Sequence, residues 1–344
     1  MPVGKARAAA PDSGDGDCQL MVPCFSAIDR NVIQDHLDRD QFFWLDLTGP
    51  SDGDLRALDE LFHFHPLTLR DVAEFGQRPK LNNYGDYAFM VFYGAGEAQA
   101  GSTELCEVHL FISGHYLITL HRSALPQLQE QQEELRGQRL HSEQFLIYRV
   151  LDALTDSFFP VMSAIDDEID SLEDAVVAMP TDRQLDRLFG LKRQLVAMRK
   201  VITPERDVFA RSVDQLDELP GLALDERDYF RDIYDNLIRI SDLLDSYRDL
   251  LSGATDLYLS TISNRQNEVT KQLTVIATIF LPLSFITGFF GQNFGYLVTD
   301  LIDTAWTFWV VGVGSMVATV AALLVYFRRK GWVGRGAGSG SQAG

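Results

Sequence analysis

The chain has 344 residues and a formal net charge of −19 at pH 7, with 49 acidic and 30 basic side chains. An acidic chain lacks the clustered Lys and Arg that bind phosphates, so nucleic acid is not an expected partner, whereas cations are compatible with it. Acidity that serves only solubility is the competing interpretation. The three cysteines, Cys18, Cys24 and Cys106, form no CxxC pair, which argues against a disulfide framework and favours a reducing compartment.

Residues 1–17 are rich in Ala, Gly, Pro and Asp, and they predict a disordered start without an apolar signal-peptide segment. Residues 18–125 are predicted to form a mixed α/β domain. Within this domain, Ser51 is a predicted N-cap for a helix that runs through Phe62. Apolar runs predict strands at residues 42–47, 87–93, 105–112 and 116–120, the last two joined as a hairpin at Gly114.

Residues 126–222 are predicted to be helical. Two proline-containing pairs break this region, Pro180-Thr181 and Pro220-Gly221. Residues 223–290 predict one long helix that continues into the first apolar stretch, roughly 100 Å in length at 1.5 Å per residue. It is interpreted either as a mechanical link to a membrane or as a passive stalk. Its apolar residues recur in steps of four and three, as in a heptad seam, at Ile233, Leu237, Ile240, Leu244, Tyr247, Leu251, Ala254 and Tyr258.

Two uncharged stretches near the end of the chain, residues 273–290 and 305–327, are each long enough to cross a hydrocarbon core as a helix. No Lys or Arg lies between Lys271 and Arg328, and residues 328–344 form a basic tail. By the positive-inside rule, both termini and the soluble domains are predicted to be cytoplasmic, in a multi-pass plasma (inner) membrane protein. Residues 291–304 then form an external loop, with Trp306 and Trp309 near the outer interface.

The first span carries small and polar residues at helical spacing. The stripe consists of Thr270, Ala277, Ser284, Gly288 and Gly291, with Leu273 and Leu281 between them. Such a stripe indicates either close helix–helix packing or the wall of a pore in an oligomer. Pro282 lies within this span and is expected to bend or loosen one turn.

The stretch NRQNEVTKQLTVIATIFLPLSFITGFFGQNF, residues 264–294, closely resembles the CorA family of divalent-cation channels and transporters. These proteins have a GMN motif at the end of the first of two C-terminal spans. Residues 65–87, 164–174 and 229–264 also resemble the family, so the likeness covers most of the chain from about residue 40. It implies a homopentameric funnel in the lipid bilayer, with an α/β cytoplasmic domain, long helices and a two-span hairpin. Five copies of the first span would line the pore.

The resemblance also implies a role for residues along the pore. A hydrated magnesium ion keeps its waters, because dehydration is costly, and neutral amide oxygens can hydrogen-bond this shell. Asn293 would supply these oxygens at the outer mouth, next to Gln292 and to Gly291, which permits a tight reversal. The further pore-lining residues would be Asn267, Thr270, Leu273, Ala277, Leu281, Ser284 and Gly288, of which the two leucines form apolar constrictions. Asp300 and Asp303 would attract external cations, although ordinary loop carboxylates are an equal alternative.

The family senses cytoplasmic cations through carboxylates between neighbouring subunits, and Asp71 and Asp232 match that pair. Asp152 and Asn236 fall at supporting positions. Carboxylates from two subunits repel unless an ion bridges them, so ion loss would loosen the funnel and favour opening. The run Asp166-Asp167-Glu168 is instead predicted to be a solvated acidic helix face.

Three positions depart from the family pattern. Gln292 replaces the motif methionine, Thr270 replaces an apolar gate residue, and Arg70 stands where an acidic neighbour of the sensor is usual. The leading hypothesis is a channel for Mg²⁺, with Co²⁺ or Ni²⁺ also possible substrates, gated by cytoplasmic cation binding and needing no other cofactor. The motif change keeps open a zinc transporter like the ZntB group, possibly proton-coupled, and a membrane-anchored cation sensor without transport.

Zinc prefers nitrogen and sulfur ligands, and neither span nor the loop contains His or Cys. His63 and His65, two residues apart, could ligate a metal, but surface or packing histidines are the favoured interpretation. No phosphate loop, nucleophile elbow or HExxH helix is present, so an enzyme is not expected.

Overall fold

The computed structural model describes residues 20–99, 102–135, 139–140, 142–216, 219–220, 222, 227–292, 306 and 308–332. The predicted disordered start, residues 1–17, therefore lies outside the described residues. The chain divides into two units, residues 1–255 and residues 256–344.

The first unit begins with an α/β domain. Its helices are α1 (Arg30–Asp38), α2 (Asp52–Phe62) and α3 (Pro66–Glu74). Its strands are β1 (Leu20–Met21), β2 (Cys24–Phe25), β3 (Phe43–Thr48), β4 (Lys80–Asn83), β5 (Ala88–Gln99), β6 (Ser102–Ile112) and β7 (Tyr116–His121). Six of these strands form one sheet in the order β2-β3-β7-β6-β5-β4, which confirms the predicted α/β class.

The two edges of the sheet differ in direction. Strands β2, β3 and β7 run parallel, whereas β7, β6, β5 and β4 are joined antiparallel. The antiparallel pairing of β6 with β7 confirms the predicted hairpin, and each predicted strand is present with its ends shifted by a few residues. The largest shift is in β5, which continues six residues past the predicted end at Tyr93.

A helical layer follows, comprising α4 (Pro126–Leu135), α5 (Glu143–Asp156), α6 (Phe158–Ala178), α7 (Asp182–Ser212), a 3₁₀ turn (Val213–Leu216) and α8 (Arg227–Phe290). The predicted break at Pro180-Thr181 falls between α6 and α7. One prediction was wrong: the region from 126 to 222 is not purely helical. A two-residue strand, β8 (Arg139–Leu140), pairs antiparallel with β1.

Alternation along the strands divides the core into two apolar clusters. Phe43, Leu45 and Phe89 point to one face and pack with Leu58 and Val72 of the short helices. The opposite strand positions join a larger cluster with the helical layer, to which Trp44, Met90, Leu151, Leu195 and Leu237 belong. The domain is therefore a sheet between two layers of helices, as expected when both faces of a sheet are apolar.

The heptad seam of α8 is buried at all eight predicted positions, from Ile233 to Tyr258. The helix remains continuous through Pro282, so the expected loosening there does not interrupt it. The predicted start near Asp225 lies outside the described residues. Sixty-four residues correspond to a helix of about 96 Å, as the sequence predicted.

The second unit contains the apolar end of α8, a π-helical segment (Phe308–Val313) and α9 (Gly314–Arg329). Two helices of the described chain are long and apolar enough to cross a membrane by length and composition. Their apolar side chains are largely exposed, including Leu281 at 73% and Phe285 at 72%. The predicted second span is therefore present, although its first part is π-helical and only its later part is α-helical.

Candidate pore face and cytoplasmic carboxylate cluster

The first span has one exposed face and one half-buried face. At 100° per residue, the seven predicted pore-lining positions from Asn267 to Gly288 fall within about 120° of the helix circumference. All seven are exposed within the chain, with Leu273 at 65%. The half-buried positions of the same span lie on the opposite side: Lys271, Val275, Ile279, Pro282, Leu283, Ile286 and Phe290.

The hydroxyls near this face are turned inward to the helix. Thr274 donates to the carbonyl oxygen of Thr270 at 2.8 Å, and Thr278 donates to that of Thr274 at 2.7 Å. Bonds of this kind satisfy a threonine within its own helix and leave its methyl group outside. Ser284 and Asn267 have no such bond among the described residues, so their polar atoms remain available to solvent or to a neighbouring molecule.

The outer end of α8 is closed by backbone bonds. The N–H of Gly291 donates to the carbonyl of Thr287 at 2.9 Å, and that of Gln292 donates to Phe289 at 3.3 Å. A β-carbon at Gly291 would lie 3.0 Å from the Thr287 oxygen, so glycine is the residue that fits this turn. At Gly288 a β-carbon would meet no atom within 4 Å. Asn293, Asp300 and Asp303 lie outside the described residues.

The second candidate site is a set of carboxylates on α5 and α8. Tyr148 donates its hydroxyl to Asp232 at 3.1 Å, and the Tyr148 ring stacks on that of Tyr229. Partial burial, together with the charges of Asp156 and Asp232, raises the pKa of Asp152 to about 6. Burial and the charge of Asp232 also raise the pKa of Asp156. Three like charges that disfavour one another's ionisation are a set that a cation would stabilise.

Asp156 was not identified from the sequence. It lies four residues after Asp152 on α5, so both carboxylates share one helix face. That spacing is the signal that would have found it.

Asp71 has its own partner within the chain. It lies on α3, and the ammonium of Lys80 at the start of β4 approaches its carboxylate to 2.5 Å. Both side chains are partly buried, whereas the neighbouring Arg70 is exposed. The cation that competes for Asp71 is therefore Lys80 and not the adjacent arginine. Within one chain the structure joins Asp232 to Asp152 and Asp156, while Asp71 is paired separately.

The remaining candidates have structural roles. His63 ends α2 in the left-handed conformation, and His65 caps α3 through Nδ1, which accepts the N–H of Leu67. The described residues contain no group of three or more His, Cys, Asp or Glu side chains arranged to hold a metal. In the predicted solvated run on α6, Glu168 instead forms a two-point ion pair with Arg187 of α7, with one N–O distance of 2.7 Å.

Comparison with known proteins identifies the architecture. The model of the family described as CorA-like Mg²⁺ transporter protein matches residues 39–329. The chain belongs to this family. It is a family of membrane transporters for divalent cations, and the chain has the family's α/β domain, long helices and two C-terminal apolar helices.

Individual relatives support the same assignment. The cobalt/magnesium transport protein CorA of Thermotoga maritima is 33% identical over 90% of this chain and 88% of its own length. The complete structure of the CorA magnesium transporter from Methanocaldococcus jannaschii has a TM-score of 0.74 at 25% identity, covering 84% of this chain and 91% of its own. The ZntB cytoplasmic domain from Vibrio parahaemolyticus, at 13% identity and a TM-score of 0.56 over 64% of this chain and 88% of its own, shares the fold alone.

Proposed function

We propose that the chain is one subunit of a homopentameric channel that conducts hydrated Mg²⁺, and also Co²⁺ or Ni²⁺, through a pore lined by five copies of the first span. The observation that carries this proposal is the division of that span into two opposite faces. Its half-buried face packs within the chain, while the stripe of small, polar and leucine side chains has no covering and can face a central axis.

The proposed mechanism uses rings of neutral groups. Asn267, Thr270 and Ser284 contribute polar rings, while Leu273 and Leu281 narrow the pore with apolar rings that can exclude water. At the outer mouth, Gly291, Gln292 and Asn293 would contact the hydrated ion, and Gln292 adds a second amide in place of the motif methionine. A hydrated ion needs oxygen atoms that hydrogen-bond its waters, and these groups supply them without fixed charge.

We further propose that the carboxylate cluster is the cytoplasmic sensor. A cation shared by Asp152, Asp156 and Asp232 would offset their mutual repulsion, and Asp71 of a neighbouring subunit would complete the site once released from Lys80. Cation loss then restores the repulsion and loosens the contact between subunits. The absence of Lys and Arg between Lys271 and Arg328 supports an inner-membrane topology with both termini cytoplasmic.

The test is ion flux into liposomes that contain purified protein and an ion-reporting dye. Magnesium entry without a pH gradient supports the channel. Zinc entry that depends on a proton gradient would assign the chain to the proton-coupled alternative. Absence of flux for magnesium, cobalt, nickel and zinc would leave the membrane-anchored sensor, which magnesium-dependent protection of the cytoplasmic unit from protease would then support.

A further inference from the structure

The cytoplasmic ends of the two apolar helices are joined by one side chain. Lys271, on the half-buried face of α8, places its ammonium 3.5 Å from the carbonyl oxygen of Gly331 and 5.8 Å from the centre of the Trp332 ring. Gly331 and Trp332 lie directly after α9, so this side chain links the start of the first span to the end of the second.

The acceptor is a rigid helix cap. Gly331 has a positive φ of 69°, and its N–H donates to the carbonyl of Arg328 at 3.0 Å. The N–H of Trp332 donates to the carbonyl of Phe327 at 2.8 Å, and the two rings stack at 5.8 Å. These paired bonds, with the apolar contact across them, form a Schellman motif. The cap therefore holds both the carbonyl and the indole ring in place for Lys271.

Phe327 anchors this cap. It is 3% exposed, whereas most described apolar side chains in the membrane segments are open. Because Trp332 stacks on this buried ring, the indole cannot swing away without breaking the cap. The contact with Lys271 combines a cation–π interaction with an ion–dipole interaction, which both strengthen where water is scarce.

The position of Lys271 relates this contact to the pore. Thr270 precedes it on the exposed stripe and Leu273 follows it on the same stripe, so residues 270–273 form the gate turn. A rotation of the first span that moved Thr270 and Leu273 about the helix axis would carry Lys271 away from Trp332, because all three share one helical turn.

We propose that Lys271 is a positioning residue of the channel: bound to the capped end of α9, it holds the gate turn in its closed position. This inference rests on the proposed channel function. An ordinary lysine at a membrane helix end would only extend its ammonium to water, and it would then make no contact that depends on Trp332.

The test compares Lys271→Gln, Trp332→Leu and the double variant in liposomes, with the internal Mg²⁺ concentration that halves flux as the measurement. Each single variant should raise that concentration about threefold to tenfold, as expected for loss of one partly desolvated cation–π contact. The double variant should show no further increase, maximal flux should be kept, and Lys271→Arg should restore the wild-type value.

Lys330→Gln is the matched control. Lys330 lies 5.5 Å from the Tyr326 ring, but both residues belong to the end of α9, so this contact joins nothing to the first span. Its variant should leave the half-inhibiting concentration unchanged. Additive effects of the two single variants, an unchanged Lys271→Gln protein, or an equal effect of Lys330→Gln would overturn the proposal.

A second measurement separates this inference from the channel function. The melting temperature of the detergent-purified protein, followed for the same four-protein cycle, needs no transport. If the wild type carries no flux, the channel function fails, while coupling between Lys271 and Trp332 in melting would still establish the contact. Absence of coupling would remove the contact whatever the flux.

Discussion

At the scale of single residues, Asp152 carries a carboxyl whose surroundings oppose its ionisation. Burial and the charges of Asp156 and Asp232 raise its pKa to about 6, while Arg149 acts in the opposite direction. In the unfolded chain this carboxyl ionises at its ordinary, lower pKa. The folded protein therefore loses stability as pH rises through about 6, and regains it as pH falls from about 6 towards 4.

Asp152→Asn should consequently raise the melting temperature at pH 7.5 by about 2–4 °C and lose this advantage at pH 4.5. Millimolar Mg²⁺ should raise the melting temperature of the wild type more than that of the variant at pH 7.5. Asp59→Asn, which changes an exposed carboxylate on α2, serves as the control and should shift neither value. A variant that is less stable at pH 7.5 would contradict the assigned repulsion.

Lys80 controls the availability of Asp71. Removing the ammonium by Lys80→Met leaves a partly buried carboxylate without its cation, so a divalent ion gains affinity for it. We expect the internal Mg²⁺ concentration that halves flux to fall roughly threefold to tenfold.

Arg30→Met provides a matched control for this change, because it breaks an exposed ion pair with Glu60 in the same unit. Such surface pairs contribute little, and inhibition should be unchanged. An unaltered response of Lys80→Met would remove Asp71 from the sensor, leaving the cluster around Asp152.

At the scale of elements, the two faces of the first span make a direct prediction. Ser284→Cys places a thiol on the exposed stripe, whereas Ile286→Cys places one on the half-buried face of the same turn. A cationic thiol reagent should block flux through the first variant by at least about tenfold and leave the second near the wild-type baseline. Equal block of both would mean that the stripe does not face the pore.

Long periodic elements were predictable from the sequence. The heptad seam of α8 is buried at every predicted position because residues at steps of three and four share one face whatever their partner. Ser51 caps α2 as predicted, and Asp54 completes a capping box, since this bonding depends only on neighbours in the chain.

Short or distant relationships were not predictable. The pairing of Leu20–Met21 with Arg139–Leu140 involves two residues a strand, too few for any alternation to appear. Lys80 could not be assigned to Asp71, because their contact requires α3 and β4 to be placed in three dimensions. The capped end of α9 also escaped notice, although Gly331 after a helix with two terminal arginines is a recognisable cap signal.

At the scale of the whole molecule, a single hairpin cannot enclose a channel. A closed ring of identical subunits places the same face of every first span towards one axis. Native mass spectrometry of the detergent-purified protein should therefore give five copies of the 38.7 kDa chain. A stable dimer or monomer that still transports magnesium would contradict the proposed pore.

One continuous helix carries both the buried seam and the exposed stripe, and the division between the two units falls inside it, after Thr255. Residue count alone therefore sets the angular phase between the two surfaces. Inserting one alanine after Asn264, in an exposed stretch of α8, would turn everything beyond it by about 100° and should abolish flux. Inserting seven or eleven residues returns the phase to within about 20° and should preserve far more of it. Natural variation in the length of this helix should then be quantised, favouring sevens and elevens over single residues.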